Sequence, residues 1–291
     1  MRNALVTALA ALCLVAAVSQ SASAQGTASS LTEADLPLET LIDAPPRVYH
    51  LRLFALSEKP APNNAEGKAF SINPQEVGKL SVATRRFDNG DGLELIDRLD
   101  ADLGTKTVTR IARCRPDSLL TPMRVRIESG DGEGEPAVTR AVLDGNRMEV
   151  DPPSDEEKPR RHDWPAGTLT LSTLIRITPL LPRDPDAAFT VDGFVELFEF
   201  EPATPPRGES FVLQAVGVES LRIGRRDYRC TRYLLDLKNS EQNISLWVDR
   251  DGVLRQFVVG RQLRATLGEP GPIQNDPIYN ELLDELKERS P

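Results

Sequence analysis

The sequence predicts a mainly β protein: a single large curved antiparallel sheet (half-barrel) with a short plug helix and a C-terminal helix. Three observations carry this reading. Short apolar/polar alternations recur from Val48 to Val259. Turns rich in Gly, Asn and Asp separate them at regular spacing, the pattern of a meander. A single stretch near the end follows helical rather than strand periodicity. About ten antiparallel strands in one run must curl or close to protect their edges and bury one face.

The elements follow in order. Residues 25–46 are polar, with Pro37, Pro45 and Pro46, and read as a flexible N-terminal arm whose Leu36, Leu38, Leu41 and Ile42 could dock on a surface. Residues 47–268 form the half-barrel domain. Tyr49, Leu51, Leu53 and Ala55 alternate with His50, Arg52 and Phe54, which suits a half-buried strand. Pro60 to Asn64 breaks it. A strand over 77–87 closes on Asp88-Asn89-Gly90-Asp91-Gly92, residues that tolerate positive φ. Strands follow over 93–103 and 105–115. Met123-Arg124-Val125-Arg126-Ile127 is the cleanest alternation, one face apolar and one basic. Residues 138–143 and 148–150 continue the meander across Asp144-Gly145-Asn146. Residues 151–161 are a charged, proline-bearing loop. Residues 164–182 fit a strand or a helix. A short helix is favoured, because Asp163 before Trp164-Pro165 has the form of a cap and a first-turn proline. Strands return over 189–200, 211–223, 227–237, 244–248 and 253–259, the last two joined by Asp249-Arg250-Asp251-Gly252. Residues 269–291 form a helical tail: Asp276-Pro277 opens it, and Ile278, Tyr279, Leu282, Leu283 and Leu286 share one stripe.

The first 24 residues read as a signal peptide. A short positive start precedes an apolar run over 4–18, and Ala22-Ser23-Ala24 supplies the small-residue cleavage site. The run falls short of the roughly 20 residues that span a bilayer. Cys13 sits in its middle, away from where a lipid-anchoring cysteine stands. A periplasmic or secreted protein without a transmembrane span is therefore expected. The chain has 291 residues, 35 basic against 44 acidic, a net charge of −9 and 40% hydrophobic residues. This suits a globular protein and argues against nucleic acid as partner, since phosphate binding needs a basic face. After export, Cys114 and Cys230 remain. They are the candidate disulfide, with two buried free thiols as the alternative.

No Gly-x-Ser-x-Gly elbow, phosphate loop, dinucleotide fingerprint or His-Glu-x-x-His is present, so no catalytic residue, metal site or cofactor is assigned. His162 lies in a charged loop and has no evident nucleophile to serve. His50 reads as a surface or edge residue. Asp88, Asp91 and Glu94, and separately Asp249 and Asp251, lack calcium-loop spacing and read as turns. Arg110, Arg113, Arg115, Arg124 and Arg126, with Arg225, Arg226, Arg229 and Arg232, suit an outer sheet face that resists edge pairing; a basic binding face is the other reading. Phe189, Phe194, Phe198, Phe200, Phe211, Trp247 and Phe257 are the candidate apolar lining of a ligand hollow, with filled core as the alternative.

Five segments carry a family resemblance. They are Asp91-Gly92-Leu93-Glu94-Leu95-Ile96-Asp97-Arg98, residues 116–124, Thr173-Leu174-Ile175-Arg176-Ile177-Thr178-Pro179-Leu180, residues 228–233, and Leu246-Trp247-Val248-Asp249-Arg250-Asp251-Gly252-Val253-Leu254-Arg255. Together the chain resembles a family of exported bacterial half-barrel proteins. It is similar in pattern to the periplasmic lipoprotein-carrier (LolA/LolB-like) proteins. The resemblance implies a concave face that holds a lipid or other apolar ligand, with residues 168–177 as a helix plugging the hollow. It implies no catalytic residues. A cell-envelope structural or protein-interaction module, gripping an envelope protein by the sheet edge or the arm, is the alternative function.

Overall fold

The computed structural model describes residues 28–42, 44–60, 68–87, 92–101, 105–131, 134–154, 158–185, 187–195, 206, 208–237, 243–260 and 263–269, with side chains described outside 55–60 and 68–73. The expected signal peptide, the expected helical tail, Phe198 and Phe200 lie outside the described residues.

The fold is mainly β, built on one large mixed sheet. β1 (Ser29–Ser30) opens the chain, followed by 3-10 turns at Leu31–Glu33 and Leu38–Leu41. Next come β2 (Arg47–Pro60), β3 (Lys68–Arg86), β4 (Leu93–Ala101), β5 (Lys106–Cys114), β6 (Pro122–Gly130), β7 (Ala137–Asp144), β8 (Arg147–Asp151) and β9 (Arg160–Asp163). Each strand from β2 to β9 pairs antiparallel with the next, the expected meander. β10 (Thr168–Thr170) leads into the single described α-helix, α1 (Leu171–Ile177), and a 3-10 turn at Thr178–Leu180. β11 (Ala188–Val191), β12 (Gly193–Val195), β13 (Phe211–Ile223), β14 (Arg226–Asp236), β15 (Ile244–Asp249), β16 (Leu254–Val259) and β17 (Leu263–Leu267) complete the described chain.

Fifteen strands share the sheet in the order β1-β11-β13-β14-β15-β16-β17-β2-β3-β4-β5-β6-β7-β8-β9, so it stays open, ending on β1 and β9. β17 pairs with β2, placing Leu263 opposite Leu53 and Ala265 opposite Leu51, and this seam joins the two meanders. The alternation over 123–127 produces what it predicts: Val125 and Ile127 are buried and Arg124 and Arg126 point away. The Asp249 turn also forms as read. Its carboxylate accepts from the backbone N–H groups of Asp251 (3.0 Å) and Val253 (2.9 Å), and Gly252 takes φ +73°.

Several expectations are corrected. The sheet is mixed rather than purely antiparallel, because β1 pairs parallel with β11. In the N-terminal arm the docking alternative describes what is seen: Leu31 is fully buried, Leu41 nearly so, and Leu36, Leu38 and Ile42 pack against the core. Residues 160–163 form an edge strand on β8 where a charged loop was expected. The expected strand over 189–200 breaks at Asp192, and Gly193–Val195 pairs parallel with β10; residues 196–200 lie outside the described residues. The helix begins later than Asp163-Trp164-Pro165 suggests. Thr170 is the N-cap, its hydroxyl accepting from the Thr173 N–H at 3.1 Å. A Thr cap satisfies one of the donors that every helix start leaves open.

The long β2–β3 hairpin turns on one glycine. A bulge between Leu51 and Arg52 shifts the register opposite Gly78, which adopts φ +155°. A Cβ there would stand 2.1 Å from the Asp100 carbonyl oxygen of β4. Gly78→Ala is expected to lower the urea unfolding free energy by about 2–3 kcal/mol, since neither backbone can give way without losing ladder pairing. Equilibrium denaturation followed by circular dichroism reads this directly.

Candidate functional site

The core face of the sheet gathers one contiguous apolar cluster drawn from strands along most of its order. α1 sits within it. All seven of its residues are buried, including Ser172, Thr173 and Arg176. Tyr233 of β14 fastens the segment after α1, its hydroxyl donating to the carbonyl oxygens of Leu181 (3.2 Å) and Pro182 (3.1 Å).

The proposed lining residues divide. Phe194, Phe211 and Phe257 are buried in this cluster, and Phe189 packs partly buried against it. Phe257 meets Tyr49 edge-on, with ring centroids 5.5 Å apart. Trp247 is placed elsewhere. It lies opposite Gln256 on the other face of β15, in a second cluster with Leu221, Ile223, Cys230 and Val258. Every residue of β15 is buried, so its inner and outer sets cannot be told apart by hydrophobicity. Cys114 belongs to the first cluster and Cys230 to the second, and both are free buried thiols rather than a bridge. Burial pushes the Cys114 thiol up to about 12 and the Cys230 thiol to about 11.

Inside the apolar cluster stands a charged group that the sequence reading did not single out. Asp97 points to the core face between Leu95 and Leu99, only 1% exposed. Arg110, directly across from it on β5, donates to Oδ2 at 3.2 Å. Ser172 of α1 donates to the same oxygen at 2.5 Å. Arg176 brings Nη1 to 2.8 Å from Oδ1, an ion pair set off the direction of a hydrogen bond. The rest of that guanidinium is spent on the backbone and hydroxyls around it. It donates to Ser172 O (2.9 Å), Ser172 Oγ (2.9 Å), Thr84 Oγ1 (3.0 Å), Ala83 O (2.8 Å) and Ile96 O (3.2 Å). Burial by itself raises the Asp97 carboxyl. The charges of Arg176 and Arg110 and the Ser172 hydroxyl outweigh it and hold the group below the ordinary carboxylate range. Arg110 therefore faces inward, while Arg113 faces outward, pairing Glu94 at 3.3 Å and lying over Phe87 at 4.2 Å.

The remaining candidates are structural in placement. His162 lies opposite Met148 on edge strand β9, its ring 6.4 Å from Trp164, and burial lowers its pKa. His50 stands 3.3 Å from Glu76 Oε1 on the outer side of β2. Glu94 is buried between Arg85 and Arg113. Asp249 pairs with Arg255 at 2.6 Å. Among the described residues, no helix is long and apolar enough to cross a membrane, which says nothing of spanning strands.

No family model matches the chain, and no curated protein matches it. Among solved structures it is similar to the crystal structure of a beta-barrel-like protein of domain of unknown function DUF1849 from Brucella abortus. That likeness has 11% identity and a TM-score of 0.41, over 77% of this chain and 95% of that one. The comparisons show no link to the lipoprotein carriers.

Asp97→Asn leaves two guanidiniums facing a neutral amide inside the core. It is expected to cost about 3–5 kcal/mol of unfolding free energy at neutral pH. Because the folded carboxyl titrates below its unfolded value, its contribution is complete above about pH 4 and fades as pH falls through the lowered pKa. Urea titrations at a series of pH values should show the gap between wild type and variant narrowing only below about pH 4.

Proposed function

We propose that the protein is an exported, non-enzymatic half-barrel that binds or carries an apolar or amphipathic molecule in the hollow now filled by α1. One observation carries the reading: a seven-residue helix, buried on every side, is held in an apolar interior by a polar network. A flat sheet can screen only one side of a helix, so burial all round favours a sheet curved about it. Seven residues are too few to hold a helix alone in water, so α1 owes its form to the place it occupies. Directed contacts through Asp97, Ser172 and Arg176 act as a latch, and the apolar walls beside it suit an acyl chain. Each buried CH₂ would contribute about 0.8 kcal/mol, enough for a modest chain to compete with the plug. The leader-like first 24 residues support export.

A second reading has its own observation. β11 pairs with β13 only over Phe211 to Gln214. Beyond that point Val216 is 47% and Val218 53% exposed, with no further strand beside them among the described residues. Such an edge suits strand addition by an extended segment of an envelope protein. A Val218→Pro variant that loses a captured partner, in a protein that takes up no lipid, would favour it.

A fluorescent polyunsaturated fatty acid titrated into the purified protein tests the main reading. Saturable uptake is expected. Ser172→Ala weakens the latch by about 1 kcal/mol and should tighten apparent binding about fivefold by raising the competent fraction. No saturable uptake by either folded protein would contradict the proposal.

A further inference from the structure

Residues 115–121 join β5 to β6, and they turn inward rather than out into water. Ser118 and Leu119 are buried, Leu120 is fully so, and both leucines belong to the apolar cluster that holds α1. The loop is closed on itself. The Arg115 N–H donates to the Thr121 carbonyl oxygen (2.9 Å), the Leu120 N–H to the Asp117 carbonyl oxygen (2.9 Å) and the Thr121 N–H to Asp117 Oδ1 (2.8 Å). Two features of this well-tied loop nevertheless oppose folding. Leu120 takes φ +48°, the one positive φ at a residue other than glycine among the described residues. A large side chain enters that region at a cost, which the burial of Leu120 offsets. The second feature has no such offset. Ser118 is 7% exposed, and its Oγ is the one buried hydroxyl among the described residues with no hydrogen-bond partner. An unpaired hydroxyl in an apolar interior is unfavourable, and an alanine at this position would fold more easily.

The loop lies beside the buried network of α1. Cys114, the last residue of β5, shares the apolar cluster, and its thiol feels the charges of Arg110, Arg176 and Asp97 from the network and of Asp117 from the loop. Ser118 follows Asp117 directly. These neighbours set the kind of group that its hydroxyl could meet. Arg110 and Arg176 are already paired with Asp97, and Asp117 adds a second carboxylate close by. A ligand carboxylate would be buried there without a cation of its own to answer it. A neutral carbonyl oxygen needs only one donor and brings no charge, and a serine hydroxyl supplies that donor.

We infer that Ser118 is the polar anchor of the interior and donates its hydroxyl to the carbonyl oxygen of a neutral acyl ester or amide, whose chain lies against the apolar walls that α1 now fills. The inference rests on the ligand-binding hollow proposed above and adds the chemistry of the ligand's head. Because Asp117, Leu120 and Thr121 tie the loop before any ligand arrives, little ordering remains to be done on binding.

Ser118→Ala in the full-length chain tests it through two readouts of opposite sign. Without ligand, the urea midpoint of the variant should rise by about 0.3 M, because a buried hydroxyl without a partner has been removed. Two fluorescent probes are then titrated into both proteins: the methyl ester of a conjugated polyene fatty acid, and a polyene hydrocarbon of the same length without a carbonyl. Ser118→Ala should weaken binding of the ester about fivefold and leave the hydrocarbon unchanged. A fall in the urea midpoint, or failure of the variant to fold, would mean that the hydroxyl is already satisfied in the free protein, for instance by an enclosed water, and would overturn the inference. Equal effects on both probes, or none on either, would overturn it too while leaving the hollow standing. Tighter binding of the ionised acid than of its ester would rule out a neutral head. Absence of saturable uptake of every probe would sink the hollow itself and this inference with it.

Discussion

A carboxylate inside an apolar core must find partners, and Asp97 finds them on two elements far apart in sequence. Arg110 comes from the neighbouring strand, whereas Ser172 and Arg176 come from a helix 75 residues further on. Such a group does little for net stability by itself, since desolvating the ions opposes their attraction. Its consequence is positional. The guanidinium of Arg176 bonds carbonyl oxygens of β3 and β4 as well as its own helix, so α1 has one depth and one rotation in the interior. A helix this short does not persist without such support. Remove the carboxylate, and both guanidiniums are stranded.

The sheet depends on the same arrangement. Fifteen strands in one open layer expose an apolar face that no pair of strands can cover. The core face is buried because strands from β2 to β8 and from β13 to β17 contribute to a single cluster shared with α1. The β17–β2 seam makes this possible by setting the two meanders side by side. The outer face follows a different rule on its two wings. Along β5 and β6 it is polar, with Arg113, Arg124 and Arg126 pointing away from the core, whereas along β13 to β16 Leu221, Cys230, Trp247 and Val258 are buried there beside the polar Ser245 and Gln256.

Much of the β architecture was legible because half-buried strands write alternation into their residues, as Val125 and Ile127 do. Where that condition fails, the pattern vanishes. β15 is buried on both faces, so Trp247 reads like Leu246 although they point in opposite directions. β9 is an edge strand of four polar residues, held by pairing with β8 rather than by its own burial. β17 carries a signal too, since Leu263, Ala265 and Leu267 alternate, but over five residues the alternation is weak. The helix lies within the 164–182 segment, but Thr170 caps it rather than Asp163. Asp97 between Leu95 and Leu99, and Arg176 between Ile175 and Ile177, are each a charge where the pattern calls for an apolar residue. That anomaly was readable. Their pairing was not, because it depends on how residues 75 and more apart are brought together.

The account stands on α1 being an occupant of the interior that can leave, rather than an inseparable part of the core. Native-state hydrogen exchange resolved along the chain tests this most directly. The account predicts that the amides of Leu174 to Ile177 exchange through a partial opening, with less free energy than those of β3 and β4. Exchange of α1 only together with those strands, in global unfolding, would contradict it.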